Sequence, residues 1–355
     1  MSDKQKYVAY VGTYTQGSSL GIYIYDVDVK EGTLSERKYV PINNSSYLCR
    51  SANGKFLYSI EDEGVAVFAI EDDGDLKMIN RIKIGGMRGC YVSVDHTGKY
   101  LFVAGYHDGK VTLIHTHHDG RLGSVMDGVF HKGLGSVSER NFRAHVSCVK
   151  MTPDNKYLCA VDNGIDQVKV YSISNKDKLE LRDIIRCERE SAPRLIKFGN
   201  SGKFAYILYE LNNSVEVYSY KDNDGEPEFE KLQTISTTSE NVDEIHDAAS
   251  GMDMSPDGKF LFTSTAGDDT VAMFAIDQKT GLLTKKFALP IGGVYPKDIA
   301  VFPDGKHIAC VNHESGTITT FTIDYDKNVL IQKGRPCTVD TPNCILITPM
   351  GCSKS

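Results

Sequence analysis

A short phrase recurs six times along this chain: a small polar turn, a lysine, an apolar or aromatic pair, and the start of a strand-like run. It reads ANGKFLYS (52–59), HTGKYLFVAG (96–105), PDNKYLCAVD (153–162), NSGKFAYILYE (200–210), PDGKFLFTST (256–265) and PDGKHIACVN (303–312). The turn residues Gly54, Gly98, Asn155, Gly202, Gly258 and Gly305 are spaced by 44, 57, 47, 56 and 47 residues. Gly and Asn tolerate the positive φ that a tight hairpin turn demands. A repeat of this length constrains the fold strongly, because one unit cannot bury its own apolar face and must stack on neighbours.

Each unit has the same anatomy. A short run such as YVSVD, SCVKM or KDIAV precedes the turn, and an apolar strand follows it. A polar loop then leads to an alternating run: GVAVFAI, KVTLIHT, QVKVYSI, SVEVYSY, TVAMFAI or TITTFTI. Alternation with period two, rich in Val, Thr and aromatics, is strand chemistry. A further turn feeds a fourth, more polar run such as KLELRDII. Four strands in about 45 residues is the size of a β-propeller blade.

The two ends complete the count. TPNCILITPMG has a first strand and its turn, with Gly351 lying 46 residues after Gly305, and then stops. KYVAYVGTYT followed by GIYIYDVD begins at a second strand. Joined, they make one blade and close the ring without leaving an exposed sheet edge. The expectation is an all-β, seven-bladed propeller of four-stranded antiparallel blades, one domain over residues 1–355. Its two long spacings place insertions at 132–144 and 237–249, both on one rim.

Composition narrows the partners. A net charge of −7 argues against nucleic acid or an anionic membrane surface. No run is apolar and long enough to cross a bilayer, and MSDKQKYVAYVG lacks a signal-peptide core. Nine cysteines without a CxxC read as free thiols in a reducing compartment, so a cytoplasmic protein is expected, monomeric or weakly homo-oligomeric. Cys90 and Cys148 have no adjacent base in sequence and read as buried thiols.

Topology selects the chemistry. In a propeller the first strands line the channel, and the start of a first strand lies at the same end as the end of the second. First-strand starts supply Arg88, Arg143, His145, Arg194 and Lys297; second-strand ends supply Tyr106, Asp162, Glu210, Ala266 and Asn312. Cations and acids converging on one channel mouth are the expected site. Asp162 with Asp166 also reads as a turn-stabilising pair.

On these residues the chain resembles the seven-bladed lactonase propellers, which include one type of bacterial 6-phosphogluconolactonase and the fungal carboxymuconate cyclases. The likeness runs through YVGTYT, RAHVSCVKMTPDNKYLCAVDNGIDQVKVY, APRLIKFGNSGKFAYILYELNNSVEVY and SPDGKFLFTSTAGDDTVAMFAID. It implies that His145, Arg194 and Glu210 occupy the positions that do chemistry. The chain departs from the family pattern at Arg143, Leu195, Ala266 and Lys297, which stand where the family has His, His, Arg and Arg.

The resemblance and the rim argument together imply hydrolysis of a sugar-type lactone, with a small lactone or anionic sugar derivative as partner. Glu210 or His145 would be the base, the other the acid or an orienting partner, and Arg194 would polarise the carbonyl or hold an anion. Arg143, Lys297, Asp162 and Asn312 are the expected substrate contacts. No cofactor and no metal is called for. A lactone cycloisomerase and a non-catalytic binding propeller are the competing readings.

Overall fold

The computed structural model describes residues 5–136, 141–239 and 247–351. Every regular element among them is a strand, and the strands form seven antiparallel sheets arranged as the blades of a propeller. In blades 2 to 7 the innermost strands are Leu48–Arg50, Tyr91–Val94, Val146–Met151, Pro193–Phe198, Ala248–Met254 and Pro296–Val301. Each is followed outward by its second, third and fourth strands in chain order.

The turns behave as their residue types require. Gly54, Gly98, Asn155, Gly202, Gly258, Gly305 and Gly351 all have positive φ, between 58° and 73°. Second strands are almost wholly buried, as in Tyr157–Asp162, and pack between neighbouring blades. Fourth strands alternate or face solvent, as in Leu179–Arg186. This gradient from a buried inner strand to a polar outer one matches the apolar-to-polar order within each sequence unit.

Blade 1 closes the ring. Its innermost strand is Pro342–Pro349, paired antiparallel with Tyr7–Thr13 from Tyr7↔Pro349 to Thr13↔Pro342. The Met350 amide donates to the Lys6 carbonyl at 2.8 Å, extending the ladder past both strands. Blade 7 departs from the four-strand expectation. Its outer strand is split into Val329–Gln332 and Cys337–Thr338, both pairing with Thr317–Asp324. The intervening GRP segment explains the break, since proline cannot donate to a ladder.

One irregularity recurs. In five blades the register between first and second strands slips by one residue, which leaves Ser147, Arg194, Ser250, Lys297 and Asn343 as unpaired bulge residues. A bulge re-aims a side chain and lets two consecutive residues face the same way. Here Arg194 with Leu195, and Lys297 with Asp298, both line the channel. The insertions expected at 132–144 and 237–249 lie partly outside the described residues, at 137–140 and 240–246.

Candidate active site

The channel mouth holds a pocket of about 310 Å³. The bulge residues form its wall: Ser147, Arg194, Ser250, Lys297 and Asn343 all line it, joined by Cys90 from blade 3. Tyr14, Tyr106 and Tyr295 surround the mouth, and Tyr47, Tyr91 and Asp298 make the floor, shared with a second chamber beyond. Tyrosine supplies an apolar face and a polar tip, which suits a ring carrying hydroxyls.

Arg194 is the organising cation. Its Nη1 donates to Glu210 Oε2 at 2.5 Å and its Nε donates to the Ser250 carbonyl at 2.9 Å. Among the described residues Nη2 has no such partner, so two N–H donors remain for a ligand. Burial opposes the charge, but the carboxylate of Glu210 outweighs it and holds the guanidinium pKa above its ordinary value. Glu210 is itself buried, and its Oε2 also accepts from Asn163 Nδ2 at 3.2 Å. The Asn163 side chain thus bridges the loop of blade 4 to the acid of blade 5. The Lys297 ammonium reaches the pocket over the Tyr295 ring, 4.9 Å from its centre. Tyr295 has φ of +61°, and its amide donates to Asp269 Oδ1 at 2.8 Å. Left-handed backbone on a bulky residue is uncommon, and fixing it here sets the ring beside the lysine.

Arg194, Glu210 and Lys297 line this one pocket together, and His145, Arg143, Asp162 and Asn312 are not among its lining residues. His145 is only 4% exposed and is not itself among the lining residues. Its ring stacks on Tyr106 with centroids 4.4 Å apart, and Nδ1 sits 2.6 Å from the Tyr106 carbonyl. From there it positions a pocket tyrosine. Arg143 is exposed beside Phe142 and does not line the pocket.

Asp162 and Asn312, expected as substrate contacts, are not among the residues lining this pocket. Both are 0% exposed. Asp162 Oδ1 accepts from the amides of His145 and Gly164, at 2.8 and 3.1 Å. Its Oδ2 lies 2.7 Å from His131 Nδ1, whose Nε2 faces the Tyr171 hydroxyl at 3.0 Å. Burial lowers the His131 pKa against the pull of Asp162, so a neutral ring donating from Nδ1 fits both contacts. The carboxylate thus pins the chain before blade 4. Gly164 is needed here because a Cβ would fall 1.6 Å from the Arg143 carbonyl oxygen. Asn312 Nδ2 donates to Thr317 and Thr319 hydroxyls, each at 3.2 Å, inside blade 7. Asp162→Ala should destabilise the fold by roughly 3 kcal/mol or more, since three donors lose a buried acceptor. Thermal unfolding checks this.

Cys90 reaches the pocket wall, but burial pushes its thiol pKa up to about 12, which leaves it inert as a nucleophile. Burial likewise raises Cys148.

With this geometry in view, the sequence profile described as "Lactonase, 7-bladed beta-propeller" matches residues 8–347. The chain belongs to the seven-bladed propeller lactonases. Among its lactonase relatives, a 6-phosphogluconolactonase of Bacillus subtilis is 31% identical over 353 residues, covering 96% of this chain and 98% of the relative. A crystal structure of a putative 6-phosphogluconolactonase from Bacteroides fragilis aligns with TM-score 0.89 at 30% identity, covering 98% of this chain and 99% of its own. The periplasmic gluconolactonase of Pseudomonas aeruginosa aligns with TM-score 0.90 at 27% identity, covering 97% and 99%.

Sequence reasoning placed Tyr106 at the mouth but missed Tyr14, Tyr47, Tyr91 and Tyr295, Asp298 and the bulge serines. A signal for part of this set was present. Bulge residues stand eight positions before their turn residue, and Tyr47, Tyr91 and Asp298 stand seven before theirs. Alignment of the repeats on the turn selects these positions.

Proposed function

We propose that this lactonase hydrolyses a sugar-type lactone, of the 6-phosphogluconolactone kind, at the channel mouth. The observation that carries the reading is the Arg194 guanidinium, fixed by Glu210 and the Ser250 carbonyl, with Nη2 left for a ligand in a pocket walled by tyrosines. Lactone opening builds negative charge on the carbonyl oxygen, and a donor already held in place stabilises it without reorganising. Glu210 keeps that donor charged and oriented. The tyrosine faces take the sugar ring, and Lys297 takes a phosphate or carboxylate carried by it. The free thiols of the described cysteines suit a reducing cytoplasm, which we propose as the site of action.

The test is a panel of phosphorylated and unphosphorylated aldonolactones, followed by proton release. Opening of at least one well above the buffer rate is expected, and none opened removes the reading. Lys297→Met should raise KM for a phosphorylated lactone about tenfold, with kcat and the unphosphorylated substrate little changed. Equal effects on both substrates would remove the phosphate role.

A further inference from the structure

The mouth pocket has a floor of an unusual kind. Behind it lies a wider chamber of about 740 Å³, opening toward the rim of PD turns and lined there by Pro153 and Pro256. Tyr47, Tyr91 and Asp298 line both spaces. The two tyrosine rings lie against each other with centroids 4.1 Å apart. These residues form a waist across the channel, and Asp298 is its one acid. Its Oδ2 accepts from the Ile345 amide at 3.1 Å. Its side chain follows that of Lys297 on the same bulge, one step further into the channel.

We infer that Asp298 is the base that takes the proton of the attacking water, and that this water reaches the mouth pocket through the rear chamber. The inference rests on the lactonase reading above. Geometry separates the two acids by role. Glu210 Oε2 is engaged by both Arg194 and Asn163, so it serves the cation. Asp298 has a carboxylate at the pocket floor, open to solvent from behind.

The step balances without a further reactant. Water forms the new C–O bond at the lactone carbonyl carbon while one of its protons passes to the Asp298 carboxylate. The carbonyl π pair moves to the oxygen that faces Arg194. On collapse the ring C–O bond breaks, and Asp298 returns its proton to the departing ring oxygen. The product is the hydroxy acid, and the carboxylate is restored.

The surroundings tune the acid for this task. Burial raises the Asp298 pKa to about 7, against the amide of Ile345 and the charge of Lys197, while Asp253 adds to the rise. Lys197 from blade 5 donates to Asp253 of blade 6 at 2.6 Å, and Lys150 of blade 4 lines the same chamber. Tyr47, Tyr91 and Cys344 line the same chamber, and the buried Cys310 lies within the field of Asp298; burial is the first cause raising the pKa of all four, so they are neutral. A base with a raised pKa is protonated below that value, so activity should rise with pH through about 7.

The experiment measures kcat and KM against pH for the wild type, Asp298→Asn and Lys197→Met, with thermal melts as a folding control. Asp298→Asn keeps an oxygen for the Ile345 amide. It should lower kcat about 10²- to 10⁴-fold, leave KM nearly unchanged, and abolish the rising limb. Lys197→Met should move the limb to higher pH, because a nearby positive charge is lost. The second variant decides the matter if the first does not fold. An Asn variant that keeps the limb and a kcat within about threefold of wild type overturns the inference. So does a limb that Lys197→Met leaves in place. In those cases an inactive Arg194 variant shows the lactonase reading intact, whereas a wild type that opens no lactone removes both.

Discussion

Arg194→Met should lower kcat/KM for lactone opening by about 10²- to 10³-fold, the range seen when one oxyanion donor is removed. The same change should also destabilise the protein. Glu210 is 4% exposed, and its Oε2 would keep only Asn163 among the two donors described for it. Removing one member of a buried ion pair typically costs about 3–5 kcal/mol. Arg194→Met with Glu210→Gln should recover much of the stability and none of the rate. That dissociation separates the two duties of the ion pair, and chemical denaturation beside single-substrate kinetics measures both. Arg194→Lys should fall close to Met in rate, since an ammonium cannot hold Glu210 and the Ser250 carbonyl while presenting a planar donor edge. Full activity in either single variant would remove Arg194 from the reaction.

Deletion of residues 342–351 should abolish cooperative folding at ordinary temperature. The lost strand pairs with Tyr7–Thr13 along its whole length. Val8, Ala9, Tyr10 and Val11 on that partner are all 0% exposed, and would become the inner edge of an open ring. Cys344 and Ile345 are buried on the lost strand, with Leu346 and Ile347 packed against neighbouring core. At about 1.5–3 kcal/mol for each large apolar side chain, the strand contributes several kcal/mol. Total stability for a domain is typically about 5–15 kcal/mol. A synthetic peptide spanning 340–351 should restore a melting transition when added in excess. A truncated chain that melts within a few degrees of the intact one would show that closure is dispensable.

Legibility from sequence followed the physics of each feature. The blade count was readable because a hairpin turn needs positive φ, and Gly54 through Gly351 mark that need at near-regular intervals. The shared blade was readable because an unpaired edge strand is a liability. Arg194, Glu210 and Lys297 were readable because topology alone assigns strand ends to a rim. Asp162 and Asn312 satisfy the same topological rule but are fully buried, Asp162 held by His131 and the His145 amide and Asn312 donating from Nδ2 within its own blade. No strand-end argument sees that cover. His145 is not among the pocket's lining residues, and Tyr106 from the neighbouring blade is stacked across its face. The bulges were hidden because a slip of register is a property of two strands, and one strand's alternation does not reveal it. Asp298 was hidden with them: simple alternation from Lys297 turns it away from the channel.

The bulges carry a consequence for how such a channel can change. A plain strand ties every inward residue to its outward neighbours, so altering the mouth disturbs the packing between blades. Here two of the bulged blades offer a consecutive pair that stands apart from that alternation, Arg194–Leu195 and Lys297–Asp298. The mouth is therefore a set of dials on a common wheel. Turning one dial alters the chemistry offered to a ligand, at a cost in stability set by that side chain's own partners, as Arg194 shows with Glu210 and the Ser250 carbonyl. Proteins about 30% identical to this one can hold the same ring, at TM-scores near 0.9, with room to set the dials for different rings and charges.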